Sequence, residues 1–202
     1  MINKQERAPL MEALSAFAEQ KPLSFHVPGH KNGQIFHKQG KDLFQRLLRI
    51  DATEVEGLDD LHAPEGAIQE AEQLLSEVYN TQKSYFLVNG TTCGNLAMIL
   101  GNCQEGDIVL VQRNCHKSIL NGLRLAKAKP VFLRNELNEE WEVAEGLSVH
   151  TVKKALERYS GAKALILTYP TYYGVANDIE EIIAVAHEHK VTVLVDEAHG
   201  AH

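Results

Sequence analysis

Two rhythms of apolar and polar residues divide the chain near residue 66. In residues 8–20 (APLMEALSAFAEQ), Leu10, Ala13, Leu14 and Phe17 recur at the three-and-four spacing of one helix face, and Pro22 closes that helix. A second helix is expected around 41–49. The rest of 24–66 carries SFHVPGHKNG and DATEVEGLDDLHAPEG. These stretches are rich in Gly, Pro and Asp and read as irregular, and long irregular segments in compact proteins are often functional. From residue 67 helical periodicity alternates with short runs that are apolar throughout. Helix 67–79 precedes SYFLVN (84–89), helix 92–103 precedes DIVLVQ (107–112), and helix 115–127 precedes KPVFLR (129–134). Helix 148–159 then precedes ALILTY (164–169), and helix 178–189 precedes VTVLVD (191–196).

Five strands separated by helices predict an α/β fold with a mostly parallel sheet. Strands apolar on both sides predict helices on both faces of that sheet. Ligands of such sheets bind outside the carboxyl ends of the strands, which singles out 89–95, 113–116, 169–174 and 196–202.

Composition narrows the partners more than the chemistry. With 202 residues and 44% hydrophobic content the chain can bury a substantial core. A formal charge of −7 and a pI near 5.8, with no basic stripe, argue against a nucleic-acid partner. No run approaches the ~18 apolar residues of a membrane span, and the charged N-terminal stretch lacks a signal-peptide core. Cys93, Cys103 and Cys115 are odd in number and form no C-x-x-C pair. Neither a disulfide framework nor a zinc knuckle is therefore expected, and a reducing cytoplasm is the simplest home.

The stretch VLVDEAHGAH (193–202) runs from an apolar strand into an acid and two histidines. Asp-Glu-Ala-His after such a strand is a helicase signature, but that fold also needs G-x-x-x-x-G-K-[ST] to cradle phosphates. The one Gly-Lys pair, Gly40-Lys41, is followed by Asp42, so this reading is discarded. Asp196, His199 and His202 could be metal ligands, yet their spacing drifts around a helix face and says little on a loop; no metal is expected. The plainest reading makes Asp196 a helix cap and the histidines polar loop residues. A second segment weighs against it. VNGTTCGN (88–95) places Gly90, Thr91 and Thr92 between an expected strand and a helix. Free N–H groups, the positive end of the helix dipole and two hydroxyls can bind an anion there, although threonine capping a helix looks the same.

Taken in order, FHVPGHKNG, EGLDDLHAPEG, FLVNGTTCGN, VQRNCHKS and VDEAHGAH resemble the pyridoxal-phosphate-dependent ornithine/lysine/arginine decarboxylases of the aspartate-aminotransferase fold (fold type I). The resemblance runs from Pro22 to His202. It implies a cofactor-binding large domain over 67–202, truncated before its last strands, behind a linker helix and loop-rich segment over 1–66. It implies that Gly90, Thr91 and Thr92 hold the phosphate of pyridoxal 5′-phosphate and that His116 stacks on the pyridine ring. Asp196 would pair with the ring nitrogen and keep it protonated, and His199 would lie near the phenolic oxygen. Each histidine has a plainer alternative: His116 as a polar residue near a helix start capped by Asn114, His199 as a surface loop residue. YPTYYG (169–174) would line the pocket, while His30, Lys31 and 57–62 would lie near the active site or a subunit interface.

Enzymes of this type also need a Schiff-base lysine, which in the resembling family follows the aspartate strand in an S-x-H-K context. His30-Lys31 and His116-Lys117 both precede Asp196, and neither fits. The resemblance therefore makes these residues the amino-terminal part of a decarboxylase, inactive alone, and implies that SYFLVN loses its neighbouring strand. The complete reaction would be α-decarboxylation of a basic amino acid in polyamine biosynthesis by a homodimer or higher oligomer. Arginine or lysine is favoured over ornithine. Aminotransfer or β-elimination on the same fold, and a non-catalytic remnant that binds a partner subunit, stay open as alternatives.

Overall fold

Four of the five apolar runs become strands of one parallel sheet in the computed structural model, which describes residues 4–200. The strands are β1 (Ile108–Gln112), β2 (Lys129–Leu133), the two-residue β3 (Leu137–Asn138) and β4 (Val143–Ala144), β5 (Ala162–Thr168) and β6 (Thr192–Asp196). The helices are α1 (Pro9–Glu19), α2 (Lys38–Leu48), α3 (Ala67–Tyr79), α4 (Gly90–Asn102), α5 (Lys117–Leu125), α6 (Val149–Arg158) and α7 (Glu180–Glu188). The chain forms two compact units that divide between Phe86 and Leu87. From α3 onward each helix, and each strand of the parallel sheet, ends within two residues of its expected position.

In the second unit the strand order is β2-β1-β5-β6, every pair parallel. Alternate residues of the two central strands feed two cores. Val109, Val111, Ala164 and Ile166 pack with Ile99, Ile119 and Leu123 of α4 and α5. Leu110, Leu165 and Leu167 pack with Val152, Leu156, Ile182 and Val185 of α6 and α7. Helices thus cover both faces, which is why the strands are apolar throughout. The antiparallel β3–β4 pair was not expected, because two-residue strands carry no periodicity.

The expected strand at 84–89 is a correction: among the described residues it pairs with no other strand, and Tyr85, Phe86, Leu87 and Val88 are 37–74% exposed. A strand exists by pairing, and both sides of β1 and β5 are already taken. The run is apolar enough to be a strand but has no neighbour, as the resemblance implies.

The helices that carry the candidate site, α4 and α5, approach closely at Gly122. A β-carbon there would lie 2.8 Å from Ile99 Cδ1 and 3.3 Å from its Cβ, and Ile99 is fully buried. Gly122→Ala is expected to destabilise this unit by about 1–3 kcal/mol, the scale of overpacking a close-packed core. Urea denaturation measures it, and an unchanged midpoint would show that the α4–α5 contact yields.

In the first unit α1 begins with Pro9, suited to the first helical position, and α1 and α3 contribute the buried Phe17 and Leu74. α2 has no buried residue. α3 ends at Asn80 in the left-handed conformation and is capped from a distance. Asp59 accepts the N–H groups of Asp60, Glu65, Gly66 and Ile68 at 2.9–3.0 Å. Burial alone would raise this carboxyl, but those four donors outweigh it and bring it from 3.8 to about 2. A depressed carboxylate stabilises the fold above its unfolded-state value and loses that contribution as pH falls through its folded value. Asp59→Ala is therefore expected to cost about 1 kcal/mol at neutral pH, a capping-scale loss discounted for solvent screening. The gap between variant and wild type should close as pH falls from 3.8 towards about 2. A pH series of thermal melts measures it, and a gap independent of pH would mean the carboxylate is not the cap.

Candidate active site

The carboxyl ends of β5 and β6, the turn after β1, and the amino-terminal turns of α4 and α5 wall one cavity of about 610 Å³. All six residues singled out in the sequence, Gly90, Thr91, Thr92, His116, Asp196 and His199, line it. His202 lies outside the described residues.

At one side stands the start of α4. Gly90 takes φ +66° as its first residue, and no side chain caps the helix. Its first-turn N–H groups have no acceptor within the helix, and Thr91 and Thr92 add two hydroxyls. An uncapped helix start with two hydroxyls at a cavity wall is a place for an anion.

The same cavity is lined by Asp196, which ends β6 and is only 4% exposed. Its backbone carbonyl accepts from Tyr169 N at 3.0 Å. Its Oδ2 accepts from Asn95 Nδ2 at 2.8 Å and its Oδ1 from Ala198 N at 3.3 Å. Among the described residues no lysine, arginine or histidine forms an ion pair with it. No helix follows among those residues, so Asp196 closes a turn rather than capping a helix. A buried carboxylate held only by neutral donors is costly unless a cation completes it.

His116 is itself the N-cap of α5, its Nδ1 accepting from Ser118 N at 3.2 Å. This corrects the expectation that Asn114 caps that helix. The Asn114 side chain instead accepts from Gln112 Nε2 at 2.8 Å and Asn135 Nδ2 at 2.9 Å. The ring of His199 meets the Tyr172 ring edge-on at 5.7 Å, so YPTYYG does reach this wall. Burial pushes the Cys115 thiol up, and the Asp196 charge acts in the same sense, which makes it a poor nucleophile.

Four further residues support the site. Gln112, the last residue of β1, bonds the backbone of Thr168 at the end of β5. Its Oε1 accepts from Thr168 N at 3.2 Å and its Nε2 donates to Thr168 O at 3.3 Å, which prolongs the strand pairing by a side chain. Thr168 Oγ1 is a buried hydroxyl with no partner among the described residues, on a residue that lines the cavity. Asn95 and Ser118, both buried, link the Asp196 and His116 sides through hydrogen bonds of 2.8 Å. Asn95 lies one helical turn beyond Thr91 and Thr92, a spacing that puts it on their face of α4, and that was the available signal for it.

The donor set suits pyridoxal phosphate: an anion site with two hydroxyls at the start of α4, and in the same cavity a buried carboxylate short of a cation among the described residues, which a protonated ring nitrogen would supply.

The Orn/Lys/Arg decarboxylase major domain, as a family, matches residues 8–202. The chain is 53% identical over 194 residues to the protein YaaO of Bacillus subtilis (strain 168), covering 96% of this chain and 40% of that protein. It is 39% identical over 199 residues to the arginine decarboxylase of Bacillus anthracis, covering 98% of this chain and 40% of the relative. Among solved structures, lysine decarboxylase A from Pseudomonas aeruginosa superposes with a TM-score of 0.75 at 26% identity, over 93% of this chain and 27% of that one. The lysine decarboxylase LdcF from Francisella novicida does so with a TM-score of 0.77 at 22% identity, over 94% of this chain and 28% of that one. The chain thus spans about 40% of the length of the curated relatives it matches.

Proposed function

The chain belongs to the Orn/Lys/Arg decarboxylase family, and from that premise we propose that its cavity binds pyridoxal 5′-phosphate for the decarboxylation of a basic amino acid. The observation that carries the reading is Asp196, buried and without a cation among the described residues, in the same cavity as the uncapped start of α4. Bound there, the cofactor would supply an electron sink for the pair released when the bond from Cα to the carboxylate breaks. Thr91, Thr92 and the first-turn N–H groups of α4 bind the phosphate. Asp196 would hold the proton on the ring nitrogen, His116 would offer its ring to the cofactor, and His199 would interact with the phenolic oxygen.

Arginine is the first substrate to test, because the relatives named for a substrate at 36–39% identity are arginine decarboxylases. On the same reading residues 67–202 belong to the cofactor-binding large domain and 1–66 to its linker, in a cytoplasmic homodimer or higher oligomer of polyamine biosynthesis. The reading also needs a cofactor-anchoring lysine, and none of the four His-Lys pairs in these residues, at 30–31, 37–38, 116–117 and 189–190, is placed as the family places it. The 202 residues are therefore expected not to turn over arginine, lysine or ornithine by themselves, whereas a longer version carrying that lysine should.

Titration of the protein with pyridoxal phosphate, followed by absorbance, tests the site. Thr91→Val with Thr92→Val should weaken binding on the order of tenfold or more, since each hydrogen bond to a charged group is worth ~1.5–3 kcal/mol. Unchanged affinity in that double variant would remove the phosphate assignment.

A further inference from the structure

We propose that Asn95, acting through Ser118, is a positioning residue that joins Asp196 and His116 into one hydrogen-bonded unit and strengthens the hold on His116 Nδ1 as an acceptor. Only the cofactor-binding part of this inference rests on the function proposed above.

The direction of the chain follows from chemistry at its ends. An ionised carboxylate can only accept, so the Asn95 amide must turn its NH2 towards Asp196 Oδ2, 2.8 Å away. The second hydrogen of the same nitrogen reaches Ser118 Oγ, also at 2.8 Å. Having accepted from Asn95, the Ser118 hydroxyl has its own hydrogen to give, and His116 Nδ1 lies at 2.8 Å. Ser118 N donates to the same Nδ1 at 3.2 Å. Two donors on Nδ1 leave the proton of the neutral ring on Nε2, the nitrogen outside this chain of bonds.

Burial makes the arrangement specific. Asn95 is 3% and Ser118 2% exposed, so water does not compete for these groups. A change at Asp196 or Asn95 is therefore felt at the His116 ring, with which neither has a direct hydrogen bond. A merely structural asparagine would stabilise α4 without setting the state of that histidine.

Nitrogen-15 NMR of histidine-labelled, cofactor-free protein reads this directly. His116 is expected to show a protonated Nε2 and an accepting Nδ1. Asn95→Leu and Ser118→Ala should each displace its Nδ1 resonance, while the N–H of residue 118 still donates to that nitrogen and keeps the proton on Nε2. The ring of His189, whose Nδ1 lies 2.9 Å from Val185 O, should not move. A protonated Nδ1 in the wild type, or an Nδ1 resonance unmoved by Ser118→Ala, overturns the proposal. Should Asn95→Leu fail to fold, Ser118→Ala decides the matter alone. In the second measurement Asn95→Leu should weaken pyridoxal phosphate binding on the order of tenfold, the worth of about one hydrogen bond to a charged group. The same change should cost clearly less in a Ser118→Ala background, because residues of one network are not additive. Strict additivity would overturn the coupling. A wild type that binds no pyridoxal phosphate would instead sink the proposed function and leave the NMR result to judge the network.

Discussion

Asp196→Asn is expected to slow decarboxylation by roughly 10²–10³-fold, the scale on which loss of a preorganised electrostatic partner slows a reaction. The same change should leave the cofactor-free protein no less stable. The two halves come from one observation. Asp196 is buried at the end of β6 with only neutral donors among the described residues, so its charge burdens the empty fold and is useful only when a cationic ring nitrogen arrives. The amide replacement keeps an oxygen for Asn95 and relieves the buried charge, which offsets the lost 3.3 Å bond from Ala198 N, but it no longer favours a proton on that nitrogen. Opposite signs in stability and activity distinguish a site residue from a core residue, whose loss lowers both. Turnover of arginine in a version carrying the cofactor-anchoring lysine, beside urea denaturation without cofactor, measures the pair. Near-normal turnover would end the assignment of Asp196 to the ring nitrogen, and a large loss of stability would make the carboxylate structural.

The sheet was legible because β1, β5 and β6 are apolar on both faces and each is preceded by a segment of helical periodicity. Hydrophobic pattern reports what a segment can bury, however, and not whether a neighbour exists. SYFLVN has the composition of a strand and none of the pairing. The segments that wall the cavity were legible by a different route, since strand ends in a parallel sheet converge and each of those ends carried polar residues, and the resemblance singled out six residues within them. What stayed hidden were the side chains that act on other side chains. Gln112 looks like the last residue of a strand, yet it prolongs the pairing of β1 with β5 beyond the backbone. Asp59 sits in an irregular stretch seven residues before the helix boundary it caps, beyond the spacing of any local capping motif.

At His116 the cap of α5 and the proposed contact with the cofactor fall on one ring. Its Nδ1 caps α5, and its ring lines the cavity. His116→Ala is therefore expected to do two things at once. Loss of the cap should destabilise the cofactor-free protein by about 1 kcal/mol. Loss of the ring should weaken pyridoxal phosphate binding on the order of tenfold to a hundredfold, by analogy with stacking of a flat heterocycle on an aromatic side chain, worth ~1–3 kcal/mol. One variant cannot separate the two effects, but His116→Asn can. Asparagine is among the best capping residues and offers an oxygen to the Ser118 N–H, yet it has no ring to place against the cofactor. The thermal melt of His116→Asn should return towards wild type while its affinity and absorption band remain those of the alanine variant. If asparagine restores binding as well as stability, His116 serves only as the cap of α5, and the face of the cofactor must find its partner elsewhere in the cavity.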